Sequence, residues 1–229
     1  MEILSNVFGG ISLVFYTIVY IPQFYLMYKT KSSSGISVLM LYLWTEADCL
    51  SLISTILVQL PAFLIIIGWF HFLIGVFMLG AVLYYKVDKT QRDIVLLALF
   101  AMTNTAMTSV LQVYVTPSAF TETLGETVGW ITTVIYIAGR LPQIYENYRK
   151  KSTKGLSMIM YIFTILGNTF YVLSVFSYST EYDYIMINMA WIVLAITNVL
   201  LDVVVILQSY YYVECTQRKR KNATIEYYI

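Results

Sequence analysis

Long apolar runs separated by short polar turns make up most of this chain. Seven of them, at roughly 7–27, 36–58, 62–85, 94–115, 127–147, 156–177 and 184–210, reach the about 20 residues that a helix needs to cross a bilayer core. Because the connections are short, the pattern predicts a single all-α, multi-pass membrane bundle. A second pattern overlies the first. Residues 20–37 recur as residues 140–157, with no insertion or deletion. Pro22 matches Pro142, Gln23 matches Gln143, and Tyr25, Tyr28, Lys31, Ser32, Gly35 and Ser37 match Tyr145, Tyr148, Lys151, Ser152, Gly155 and Ser157. Such a period means two copies of one structural unit. The chain then divides into a first three-helix repeat (1–92), a linker helix (93–120), a second three-helix repeat (121–213) and a basic tail (214–229). With an odd number of helices between them, both copies run the same way through the membrane. This 3+1+3 parallel-repeat plan places a binding site near the midplane between the halves.

Composition excludes a soluble domain. Of the 229 residues 59% are hydrophobic and 12% charged, against about 25% charged in soluble domains. Charge placement gives the orientation. Lys29 and Lys31, the loop over 86–92, the loop over 149–154 and the tail at 218–221 carry every Lys and Arg except Arg140, while the alternate connections carry Glu122 and Glu126, then Glu181 and Asp183. By the positive-inside rule the basic loops face the cytosol, which puts the N-terminus in a lumen and the C-terminus in the cytosol. The first basic residue is Lys29, so the first apolar run is expected to be retained rather than cleaved as a signal peptide. The Asn222 glycosylation pattern falls in the cytosolic tail and is discounted. Cys49 and Cys215 stand far apart and read as free thiols, with no disulfide framework, metal site or cofactor expected.

Candidate chemistry lies on the apolar helices. Pro22 and Pro142 each remove a backbone donor and press on the carbonyl four residues earlier. Inside a membrane that carbonyl needs a partner from the bundle, and the amides of Gln23 and Gln143 suit that task or contact with a substrate. The pair reads either as hinges that open the cytosolic side or as helix-ending prolines; the turns with Gly35 and Gly155 read as plain helix ends. Ionisable groups inside spans are costly and mark function by default. Asp202 is one, either a proton-coupling carboxyl or the structural ion-pair partner of Arg140. Asp48 matches Asn168 at the repeat offset, so the two are expected to face each other across a central cavity and hold an ammonium or guanidinium group, or else to join helices by hydrogen bonds. Glu46 is expected to face away from Asp48, towards the luminal or linker side. His71, the lone histidine, is of a type that titrates near the pH of an acidic organelle, but without a matched partner it reads as structural rather than as a switch. No catalytic set suggests an enzyme.

Two Pro-Gln motifs, each followed by paired tyrosines and by Lys-Ser-x-x-Gly-x-Ser, resemble the PQ-loop family of seven-helix transporters. Within it, Trp44 with Asp48, the Gln59-Leu60-Pro61 triplet, Arg140-Leu-Pro-Gln, and Gly167-Asn168 with Tyr171 resemble the lysosomal and vacuolar cationic amino acid exporters. Asp202 with Gln208 resembles helix 7 of those exporters and of cystinosin, where the matching aspartate is implicated in proton coupling. The resemblance implies proton-linked export of lysine, arginine or histidine from an acidic lumen, with Trp44, Asp48, Asn168 and Tyr171 at the substrate. The partners implied are a small cationic amino acid, a proton and the bilayer, with no nucleic acid. Glu46 stands in a segment where those exporters usually carry a Gly-Asp pair, and this extra acid bears on substrate choice. Cystine export, sugar flux as in the plant facilitators, and a receptor of the KDEL-receptor type or nutrient sensor are the competing readings.

Overall fold

The computed structural model describes residues 2–59, 62–86 and 91–226. Leu60, Pro61 and residues 87–90 lie outside it, as do the side chains of Arg92, Asp183 and the tail from 214 onward, with Cys215 and Asn222. Among the described residues the chain is all helix: α1 (Glu2–Ile18), α2 (Ile21–Thr30), α3 (Val38–Leu57), α4 (Ala62–Tyr84), α5 (Gln91–Tyr114), α6 (Ala119–Lys150), α7 (Met158–Tyr178), α8 (Tyr182–Ile187) and α9 (Met189–Glu226). Six segments are long and apolar enough to cross a membrane, including Ile3–Thr30, which joins α1 and α2 into one span. The seventh, α6, has 32 residues, and its Glu122, Glu126, Arg140 and Glu146 make it less apolar. Large apolar side chains cover the outside, among them Met102 and Val113 on α5, Phe77 on α4 and Leu200 on α9. Water would penalise such a surface; lipid does not.

Several helix ends depart from the hydrophobic pattern for local reasons. The α6 helix starts at Ala119, because Ser118 and Thr121 form a reciprocal capping box that anchors it before the apolar run begins. A short α8 precedes α9, with the Asn188 amide side chain donating to the Tyr184 carbonyl at 2.9 Å, a local bond that competes with helix continuation. The helix α9 then runs through most of the stretch read as tail, whose Lys, Arg, Glu and Ala residues are good helix formers. The two repeats also differ. Pro22 stands at the start of α2, just after a break at Val19 and Tyr20, whereas Pro142 lies inside the continuous α6.

The repeats are cross-packed. The first helix of each copy lies chiefly against the second helix of the other: α1 against α7, and α6 against α3. Matched small residues permit this. At one end Gly9 lies against Ser174 and Gly129 against Ser54, so that an added Cβ would sit 3.1 and 3.2 Å from the serine hydroxyls. Ser54 donates to the Gly125 carbonyl at 2.7 Å, and Ser174 to the Ser5 carbonyl at 2.8 Å. Close backbone approach with short hydrogen bonds is how helices associate where no hydrophobic force separates helix from lipid. The linker helix α5 lies outside this arrangement, against α3 and α4. Its Asn104 donates to Glu46 at 3.4 Å and accepts from the buried free thiol of Cys49 at 3.3 Å. Glu46 therefore does face the linker, as its position relative to Asp48 predicts.

Candidate functional site

Helical periodicity stacks the candidate residues in layers on the axis between the repeats. On α6, Tyr136, Arg140, Gln143 and Asn147 are spaced by four, three and four residues and share one face. On α3 the matching face carries Leu41, Trp44 and Asp48; on α7 it carries Tyr161, Thr164 and Asn168.

In the outer layer, Asp48 and Asn168 each meet a tyrosine from the other repeat. Tyr136 donates its hydroxyl to Asp48, and Tyr16 donates to the Asn168 oxygen at 2.9 Å. Tyr16 and Tyr136 occupy matching positions in the two copies, so the layer has twofold pseudo-symmetry with an acid on one side and an amide on the other. The Asn168 nitrogen donates back to the Thr164 carbonyl at 2.8 Å. On the far side of Asp48, Gly75 of α4 sits where a Cβ would come within 3.1 Å of the second carboxylate oxygen. Tyr171 lies three residues further along α7, half-buried. His71 of α4 sits edge-on to Tyr16, with ring centroids 6.4 Å apart, and is placed beside this layer rather than in it.

The middle layer breaks the symmetry. Where the first repeat has Tyr20 the second has Arg140, and where the second has Thr164 the first has Trp44. Arg140, 1% exposed, places one terminal nitrogen 2.8 and 2.9 Å from the two oxygens of Asp202, which is itself fully buried. Thr164 donates to Asp202 at 2.6 Å. The guanidinium Cζ lies over the Trp44 ring, 3.8 Å from its centroid, and over the Tyr161 ring at 5.1 Å. The Trp44 ring is held there by its own bond to the Tyr136 carbonyl at 3.4 Å and by Gly139, where a Cβ would approach within 2.7 Å.

The inner layer is at the end bearing the basic turns, and here the structure corrects the sequence reading. Gln23 and Gln143 do not serve the carbonyls freed by Pro22 and Pro142. Gln23 donates to the Gly155 carbonyl at 3.0 Å and accepts from the Ser157 amide at 2.7 Å. Gln143 donates to the Gly35 carbonyl at 2.9 Å and accepts from the Ser37 amide at 2.7 Å. Each glutamine thus clasps the turn of the opposite repeat. The turns touch as well: a Cβ on Gly35 would lie 2.2 Å from the Gly155 carbonyl carbon. Lys31 and Lys151 both adopt left-handed backbone, with φ of 51° and 48°, to end their helices and turn the chain inward. The glycines read as plain helix ends are therefore the contact that closes this end. Asn147 extends the network, accepting from Gln143 at 2.9 Å and donating to Gln208 of α9 at 3.0 Å.

The crossed wiring has a direct consequence. Gln23→Ala is expected to speed hydrogen exchange at the Ser157 amide, and Gln143→Ala at the Ser37 amide. Each loss leaves a buried donor unpaired, at a cost of about 1–3 kcal/mol. Faster exchange at the amide of the mutated repeat's own turn would contradict the clasp.

The sequence comparisons agree with this two-copy arrangement. The PQ loop repeat matches residues 4–64 and 124–183. The chain is 22% identical to the vacuolar lysine transporter of Saccharomyces cerevisiae, over 91% of this chain and 93% of that protein. It is 29% identical to the lysosomal amino acid transporter 1 homolog of Gallus gallus, over 89% of this chain and 79% of that protein. A solved eukaryotic SWEET transporter superposes with a TM-score of 0.58 at 15% identity, covering 93% of this chain and 98% of that one. That likeness concerns the fold. The named relatives are transporters rather than enzymes.

Proposed function

The chain belongs to the PQ-loop repeat family, and on that premise we propose that it is a proton-coupled secondary transporter exporting cationic amino acids from an acidic organelle lumen to the cytosol. The observation that carries this reading is a fully buried carboxyl, Asp202, held by Arg140 and Thr164 at the seam of the two repeats. Intramembrane acids of this kind are costly, and proton relays are among the functions they mark. The relatives named for lysine and amino acid transport in vacuole and lysosome support the substrate class and the organelle. Asp48, which the repeat matches to Asn168, supplies the negative charge for a lysine ammonium or an arginine guanidinium, with Trp44 and Tyr171 as further walls.

In the proposed cycle the halves, residues 1–92 and 121–213, rock about the linker at 93–120. The Gln23 and Gln143 clasps and the Gly35–Gly155 contact hold the cytosolic side shut while the luminal side admits substrate and proton. Parting of the clasps, with Pro22 and Pro142 as hinges, releases both to the cytosol. The basic turns support a cytosolic location for that end and a luminal N-terminus.

The test is uptake of radiolabelled arginine by cells displaying the protein at their surface, at an external pH of about 5 and about 7.5. Wild type is expected to take up arginine faster at the acidic pH, and Asp202→Asn to lose that dependence. Arginine uptake with unchanged pH dependence in Asp202→Asn would remove the residue from coupling. No flux of lysine, arginine or histidine from protein shown to be at the surface would remove the transport reading.

A further inference from the structure

Arg140 carries more donors than its ion pair uses. One terminal nitrogen donates to one Asp202 oxygen at 2.9 Å and lies 2.8 Å from the other, which has no hydrogen-bond partner of its own among the described residues. The Nε and Nη1 groups have no hydrogen-bond partner among the described residues, and neither does the hydroxyl of Tyr161, which flanks the guanidinium. Both side chains are enclosed, Arg140 at 1% exposure and Tyr161 at 0%. Buried donors are nearly always satisfied, and one left unmade costs about 1–3 kcal/mol. Trp44 offers the guanidinium a ring face 3.8 Å from Cζ and no acceptor for its free donors. A cluster of fixed donors around a buried cation is suited to a carboxylate, which the planar guanidinium matches in geometry as well as charge.

We propose that the free donors of Arg140, with the Tyr161 hydroxyl, bind the α-carboxylate of the transported amino acid. The inference rests on the transporter reading and deepens it: the site takes zwitterionic amino acids and rejects the corresponding amines. It also gives the proton a reason to travel with the substrate. In the empty site Asp202 is the counter-ion of Arg140. When the substrate carboxylate takes over that role, a proton on Asp202 keeps the buried charge balanced, one proton for each carboxylate. The groups that face Asp202 are Arg140 from α6 and Tyr161 and Thr164 from α7, with Tyr16 of α1 in electrostatic reach. Arg140 is the cation among them, so protonation of Asp202 leaves that one charge to be answered.

The experiment is competition of surface uptake of radiolabelled arginine at an external pH of about 5, using matched pairs: arginine against agmatine, lysine against cadaverine, histidine against histamine. Each amine is expected to inhibit roughly tenfold or more weakly than its parent amino acid, the loss that an unpaired buried donor predicts. Tyr161→Phe, which removes one hydroxyl and no charge, is expected to raise KM for arginine severalfold at unchanged maximal rate. A protein with only a structural need for Arg140 would show neither effect. Amines that compete as well as the amino acids, or an unchanged KM in Tyr161→Phe, would overturn the carboxylate site while leaving the transporter reading intact. No amino acid flux at all would remove both, and is recognised by the silent wild type.

Discussion

Arg140→Ala is expected to lower the melting temperature of the purified protein sharply, and a second change, Asp202→Asn, to restore most of it. The reasoning follows from where the pair lies. Arg140 and Asp202 are 1% and 0% exposed and hold each other at 2.8 Å between α6 and α9. Removing one member of such a pair leaves an uncompensated buried charge, which costs about 3–5 kcal/mol, whereas removing both charges together is often close to neutral. The Trp44 ring also loses its cation, worth about 2 kcal/mol when desolvated, so the double variant is not expected to recover completely. Melting in detergent, followed by the fraction that stays monodisperse, measures this directly. Because Asp202→Asn answers only the charge defect, the double variant should reach the membrane and still fail to concentrate arginine. A single Arg140→Ala protein as stable as wild type would mean that water or another group satisfies Asp202 without the arginine.

The repeat, the number of spans and the position of the acids were legible in the sequence because each depends on residue type and spacing alone. Hydrophobic runs of bilayer length and a constant offset between Pro-Gln motifs survive any rearrangement of helices in space. What could not be read was the partner of each polar group. Gln23 sits beside Pro22, so sequence proximity assigned it to the carbonyl that the proline frees, but cross-packing of the repeats delivers the other copy's turn to it instead. The tyrosines of the outer layer were missed for a different reason. Among 21 tyrosines, Tyr16 and Tyr136 do not stand out by composition, yet they match at the same offset that aligns Asp48 with Asn168. Applying that offset to every polar residue would have found them, and Ser54 with Ser174 as well. The capping box at Ser118 has Thr121 where the usual signature has Glu or Gln, and it lies outside the apolar run. Arg140 and Asp202 read in the sequence as a possible pair, and the structure makes them one; their proton and substrate roles are chemistry that no spacing rule contains.

The matched turns at the basic end give the second large effect. Gly35→Ala is expected to cut transport more than tenfold, because the added methyl has no room. Its Cβ would lie 2.2 Å from the Gly155 carbonyl carbon, 2.5 Å from the Leu156 nitrogen and 2.6 Å from the Lys154 oxygen. These are backbone atoms, which cannot rotate aside as the end of a side chain can. The opposing turn must retreat, and Gln143 then loses its hold on the Gly35 carbonyl and the Ser37 amide. Overpacking of this kind costs about 1–3 kcal/mol, and here the cost falls wholly on the state in which the two turns meet. A transporter that must close one side before opening the other would be held with its basic end ajar. Gly155→Ala is expected to act in the same direction for an additional reason: its φ of +87° is one that residues with a side chain rarely adopt. Gly10→Ala, where nothing lies within 4 Å of the new methyl, is the control and should transport as wild type. Uptake normalised to surface protein, with hydrogen exchange at Ser37 and Ser157 read alongside, separates the two causes of failure. Slow uptake with fast exchange at both amides places the defect in the closure of this end. Wild-type uptake by Gly35→Ala would mean that the two turns need not touch at any point in the cycle.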